Sequence, residues 1–176
     1  MSTSLLSLLV AVLVSAPDVT AVEPEPRDTT YGPNLLLANP ADLLGGAVSV
    51  EYERALTSWF GLTAGVSVWS FRGDLVPEDT PSFTSLSPEL GARFHFVRDA
   101  PGGLWVGPIL SGGYLFSRND GALVRSWSWG LGAALGYNFI IGHHFTVQLG
   151  AGAGFVDYGD LLVWAPRLRL GLGWAF

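Results

Sequence analysis

Along most of the chain, large apolar residues occupy every second position, and glycine, alanine, serine or a polar residue fills the positions between them. Phe60, Leu62, Ala64, Val66 and Val68 alternate with Gly61, Thr63, Gly65 and Ser67. The same parity governs Leu90–Phe96, Trp127–Phe139, Phe145–Phe155 and the terminal stretch from Trp164 to Phe176. A strand turns successive side chains to opposite faces, whereas a helix would scatter these residues around its circumference. The period therefore predicts eight strands, over 31–38, 44–56, 59–71, 84–97, 103–116, 126–139, 144–156 and 163–176. The first of these is short and carries Pro33, but the connections require it. Short turns near 57–58, 98–102 and 141–143 alternate with longer links near 72–83, 117–125 and 157–162. An even strand count then needs one strand before 44–56, the arrangement of barrels with short turns at one end and long loops at the other.

Aromatic spacing tells which surroundings the large face meets. Trp164 and Trp174 stand ten positions apart on one face, as do Trp127 and Tyr137, and Phe145 and Phe155. Ten residues at ~3.3 Å cover about 33 Å of strand. Tilted by ~40°, that projects to roughly 25 Å, the height of the apolar band between the two aromatic girdles of a membrane barrel. Composition agrees. Hydrophobic residues make up 49% and charged residues 14%, with no lysine, 23 glycines and a net charge of -6. A soluble domain carries about 25% charged residues. With the large side chains inside, the exterior would be glycine, alanine and a few charges, a poor surface in water. With them outside, facing lipid, the small residues fill the narrow interior that eight strands leave. The expected fold is thus all-β, an eight-stranded antiparallel up-and-down transmembrane β-barrel over residues 31–176.

The N-terminal residues add an address. Leu5 to Ala16 is an apolar run of signal-peptide length, too short to cross a bilayer as a helix. Val19-Thr20-Ala21 fits the small-residue cleavage pattern, so residues 1–21 are expected to be a signal peptide and 22–30 a disordered lead-in. The only positive charge before Arg27 is the terminal amine. Cysteine is absent, which rules out a disulfide framework and thiolate metal sites. The mildly acidic balance argues against a nucleic-acid partner.

Two stretches carry a resemblance. The ending "LRLGLGWAF" places Leu168, Leu170, Leu172, Trp174 and Phe176 at alternate positions up to the last residue. "NPADLLGGAVSVEYERAL", Asn39 to Leu56, runs from an apolar-glycine segment into Glu-Tyr-Glu. The chain resembles the small eight-stranded outer-membrane β-barrels of Gram-negative bacteria, and its opening is similar to that of an uncharacterised small-barrel family. The resemblance implies a bacterial outer-membrane location. It also implies that the C-terminal residues are a signal read by the barrel-assembly machinery. It implies no activity.

On the small face, charges cluster. Glu51 and Glu53, then Glu89, Arg93 and His95, then Arg167 and Arg169, all point to the side away from the bulky residues. Unpaired buried charge is very costly, so these seven are expected to pair in the lumen and plug it. Other chemistry is thinner. His143 and His144 adjoin in a short turn with no further ligand cluster in the sequence, so no metal site is expected. "GLGAALG" and "GAGAG" do not match G-x-G-x-x-G and do not lie between a strand and a helix. Ser126 and Ser128 lie near the long-loop rim, away from any histidine, so no catalytic residue and no cofactor is assigned. Pro88 and Pro166 fall inside proposed strands toward that rim, where a bulge would be tolerated, while Pro108 has no ready place in a strand. The expected function is an outer-membrane integral barrel with a side-chain-filled lumen and no open pore. It is expected to be a monomer surrounded by outer-membrane lipid, with a structural or surface-interaction role. One alternative is a barrel enzyme acting on lipid A or phospholipid. The other is a soluble lipid-carrier barrel with its large residues inside.

Overall fold

A computed structural model gives the fold and describes residues 31–71, 83–119, 122–157 and 162–176. The expected signal peptide, the lead-in and most of the long links lie outside the described residues. Eight strands form: β1 Asn34–Ala38, β2 Ala47–Ala55, β3 Phe60–Phe71, β4 Phe83–His95, β5 Gly103–Asn119, β6 Ala122–Ile141, β7 Phe145–Asp157 and β8 Leu162–Ala175. Each pairs antiparallel with the next, and β8 pairs back onto β1, closing the barrel. The up-and-down order expected from the turn pattern is therefore the order found.

Closure is made by the chain's last residue. Asn34 N–H donates to the Phe176 carbonyl and Phe176 N–H to the Asn34 carbonyl, both at 2.9 Å. From there β1 follows β8 only as far as Ala38 opposite Leu172. Every described ladder keeps a single register, without a bulge. No bulge accommodates Pro88 or Pro166. Instead, the β4–β5 ladder skips its bridges at Ser87–Pro88 and again at Ala92–Arg93, which the constant register sets opposite Gly107 and Pro108. Each skip leaves a proline without the N–H that the ladder would have used. Pro166 does not interrupt the β7–β8 ladder, where it stands opposite Ala153. Its ring thus occupies the other edge of β8, beyond the point where β1 ends, as proline does on an edge strand.

The start of β2 also differs from expectation. Residues Pro40–Gly45 form a short 3-10 helix, which takes Leu44 and Gly45 out of the expected strand. Proline suits the first helical position, and Gly46, at φ 76°, supplies the left-handed residue that ends the turn. The helix takes the place beside β8 that β1 vacates.

Parity sorts the side chains as the aromatic spacing implies. Leu131, Leu149 and Leu168 are 55%, 50% and 77% exposed on the outside. Glu53, Gln148 and Thr146 are fully buried inside. Small residues line the inner wall because facing backbones crowd there. A Cβ on Gly154 would lie 2.7 Å from the Leu131 carbonyl oxygen and 2.8 Å from the Gly132 Cα. No helix among the described residues is long and apolar enough to cross a membrane, and the strands are the candidate spans.

Leu149 is the outward leucine between the aromatic positions Phe145 and Phe155 of β7. Leu149→Arg is expected to cost about 2–4 kcal/mol, the penalty of a cation at the bilayer midplane. Denaturant unfolding in lipid vesicles measures it.

Candidate functional site: a lumenal charge plug

All seven lumenal residues singled out in the sequence meet in one chain of contacts. Strand β2 sends Glu51 and Glu53 inward, two positions apart and so on the same face. Arg93 of β4 bridges them: Nη1 donates to Glu53 Oε2 at 2.5 Å, and Nη2 donates to Glu51 Oε1. Arg169 of β8 donates to the second oxygen of Glu51 and, at 3.1 Å, to Glu89 Oε2. Arg167 donates to the other Glu89 oxygen. His95 closes the lower end. Its Nδ1 faces the Gly102 carbonyl at 2.8 Å, and since a carbonyl only accepts, that nitrogen donates. Its Nε2 meets Glu53 Oε1, also at 2.8 Å.

Three carboxylates thus face three guanidiniums, and with Nδ1 of His95 donating, the His95–Glu53 contact holds one further proton. Arginine suits this geometry because its planar fork addresses two carboxylates at once. Burial is graded along the barrel axis. The side chain of Arg93 is 3% exposed and that of Arg167 is 31%. The lower pairs therefore depend on one another, because removing one partner strands a charge out of reach of water.

Three plug residues escaped the sequence reading: Trp105, Asn138 and Gln148. Each is buried inward, on the short-turn half of the barrel. The guanidinium carbon of Arg93 sits 3.9 Å from the Trp105 ring centroid. Trp105 Nε1 donates to Asn138 Oδ1 at 3.0 Å, and Asn138 Nδ2 donates to the Pro101 carbonyl at 2.6 Å. The Gln148 amide reaches Asn138 at 3.0 Å and lies 3.2 Å from both terminal nitrogens of Arg93. Inward parity was the signal for all three. Asn138 and Gln148 already stood on the small face of their strands.

The lumen is not filled along its whole height, contrary to the expectation of a packed interior. Above the plug, toward the long-loop end, lies a cavity of about 680 Å³ lined by residues of β2, β3, β4, β7, β8 and the 3-10 helix. Glu51, Glu89, Arg167 and Arg169 form its floor.

The aromatic positions also fall in place around the wall. Phe145 stands opposite Trp174 near the short-turn end, and Phe155 opposite Trp164 toward the long-loop end. Trp127 packs edge-on against Tyr114 at 4.9 Å between centroids, and Tyr137 packs against Phe139 at 4.4 Å. Leu168, Leu170, Leu172, Trp174 and Phe176 are all exposed on the outer face of β8. His143 is exposed in the β6–β7 turn, and His144 stacks on Trp174 at 5.2 Å between ring centroids. Among the described residues no group of three or more histidine, cysteine, aspartate or glutamate side chains is arranged to hold a metal ion. Ser128 donates to the Gly113 carbonyl at 3.5 Å.

No protein-family model matches the chain, and no curated protein sequence does. Among solved structures it is similar to the Neisserial surface protein A, with a TM-score of 0.56 and 14% identity over 81% of this chain and 92% of that one. It is also similar to the Yersinia pestis outer membrane protein Ail in a phospholipid bilayer nanodisc, at a TM-score of 0.48 and 14% identity over 81% of this chain and 97% of that one. The likeness is one of fold. The fold is that of the small eight-stranded outer-membrane barrels, as the sequence led one to expect.

Graded burial gives a graded prediction. Arg93→Ala leaves Glu51 and Glu53 short of a partner and is expected to cost about 3–5 kcal/mol. Arg167→Ala, at the wetter end, is expected to cost under about 1 kcal/mol. Unfolding midpoints of the two variants in the same detergent order them.

Proposed function

We propose that the protein is an integral barrel of the bacterial outer membrane that conducts no solute and acts structurally or through its exposed surface. One observation supports this reading: a largely apolar exterior surrounds a lumen whose short-turn half holds a buried ion-pair network. The bulky face is outside, so the soluble lipid-carrier alternative lacks the apolar interior it needs. An enzyme acting on lipid A or phospholipid needs a nucleophile and base within hydrogen-bond reach. Ser126 and Ser128 lie on the long-loop half of β6, whereas His95, His143 and His144 lie at the short-turn end. We therefore read the protein as non-enzymatic and its surroundings as lipid, with no partner subunit required.

The C-terminal segment supports a second part of the same reading. Leu168 to Phe176 presents alternate apolar residues outward, and its last residue also bonds the first strand. A segment that is read by the barrel-assembly machinery and then closes the sheet fits both properties.

In planar lipid bilayers the purified protein is expected to give no resolvable ion current. In cells it is expected in the outer-membrane fraction, with a heat-dependent shift in gel mobility. Steady unit conductance steps in the wild-type protein would refute the sealed barrel.

A further inference from the structure

The short turns are not alike. Gly142, His143 and His144 of the β6–β7 turn are exposed. In the β4–β5 turn, by contrast, Ala100, Pro101 and Gly102 are buried, Ala100 at 1% exposure. This turn folds in beneath the lumen, because its carbonyls meet inward side chains. The Pro101 carbonyl accepts from Asn138 Nδ2 at 2.6 Å, and the Gly102 carbonyl accepts from His95 Nδ1 at 2.8 Å. Ala100 N–H donates to the Ser58 carbonyl of the β2–β3 turn at 2.7 Å. The Asp99 carbonyl accepts from the Tyr31 hydroxyl at 2.8 Å.

His95 joins this turn to the ion pairs above it. Each of its two contacts needs a hydrogen, and a neutral imidazole carries only one N–H. With Nδ1 donating to Gly102, Nε2 and Glu53 Oε1 stand 2.8 Å apart and need a second proton between them. Neither side chain has exposed surface, so water does not stand in for it. Gly61 of β3 leaves room for this oxygen, since a Cβ there would lie 2.8 Å from it. The other Glu53 oxygen accepts from Arg93. The charged neighbours of the pair are Arg93 and, through it, Glu51; Arg98 and Asp99 lie in the turn beside Tyr31. From β5 and β6, Trp105 and Asn138 bring no charge.

We propose that the β4–β5 turn is a cork in the short-turn mouth of the barrel, and that a single proton bound between His95 and Glu53 pins it to the plug. Without that proton His95 serves one side only. It holds the turn and presents a bare nitrogen to Glu53, or it holds Glu53 and releases the turn. The proton also changes what Glu53 contributes. Three guanidiniums and a proton stand against three carboxylates, an excess of one positive charge. Glu53→Gln keeps the same excess with no bound proton. Its amide oxygen accepts from Arg93, and its amide N–H donates to His95 Nε2 where the proton was. A plain Arg93–Glu53 ion pair would instead lose its charge partner.

The full chain, reconstituted at neutral pH, tests the proposal. Glu53→Gln is expected to unfold at the wild-type denaturant midpoint. Glu51→Gln, which takes a charge from Arg93 and Arg169, is expected to lose about tenfold or more in its folding equilibrium. Nitrogen and carbon NMR of the wild type are expected to show two protons on the pair, one on His95 Nδ1 and one on Nε2 or the Glu53 carboxyl. In Glu53→Gln, Nε2 is expected to be bare. Backbone hydrogen exchange reads the cork. The Ala100 amide is expected to exchange about a hundredfold more slowly than the His144 amide of the exposed turn. It is expected to be unchanged in Glu53→Gln and about tenfold faster in His95→Gln, whose one nitrogen serves one partner. If His95→Gln does not fold, the wild-type measurements and Glu53→Gln decide. A Glu53→Gln that fails to fold or is as damaged as Glu51→Gln would overturn the proposal. So would a wild-type pair holding one proton, or an Ala100 amide as fast as His144 or unmoved in His95→Gln. None of these readings depends on whether the barrel conducts, so the proposed function stands or falls separately.

Discussion

Hydrocarbon supplies no hydrogen-bond partner, and every other feature of the barrel follows from that constraint. A spanning strand must have both of its edges paired, which forces the sheet to close. Closure at eight strands leaves an interior wide enough for side chains and little more. The bulky residues of each strand therefore lie outside, where lipid accepts them, and the glycines, serines and alanines lie inside. The bond pair between Asn34 and Phe176 is where closure is completed.

A narrow interior then decides how charge is carried. Each lumenal carboxylate meets a guanidinium, and each of the deepest groups has more than one partner. Such a network is weak evidence for stability, since burying ions costs much of what their attraction returns. Its value is specificity. A slip of one residue in β2, β4 or β8 would turn that strand's charges toward lipid and its bulky residues into the lumen, so the plug and the apolar face oppose the same slip.

Much of this was legible in the sequence because period two is a local property. Eight strands, their order and the inward set of charges all follow from parity and turn length. What escaped depended on heights along the axis. Leu44 and Gly45 read as strand because they run into the alternating segment that follows; Pro40 and Asp42 were the better guide to a short helix. Pro108 had no place until the β4–β5 ladder showed a missing bridge beside it. The cavity was hidden for the same reason: no local pattern tells that β1 ends at Ala38 while β8 runs on. Trp105 belongs to the plug through distance-dependent packing on Arg93, which parity permits but does not specify.

Orientation is the claim on which the account stands, and lipid-borne photolabelling tests it without altering the chain. A diazirine carried on an acyl chain, activated in reconstituted vesicles and mapped by tandem mass spectrometry, reports which side chains touch hydrocarbon. Labels at Leu149, Leu168, Leu170 and Leu172, with Gln148, Arg169 and Gly171 spared, are the predicted pattern. Labels on the second set with the first set spared, or no alternation along β7 and β8, would contradict it.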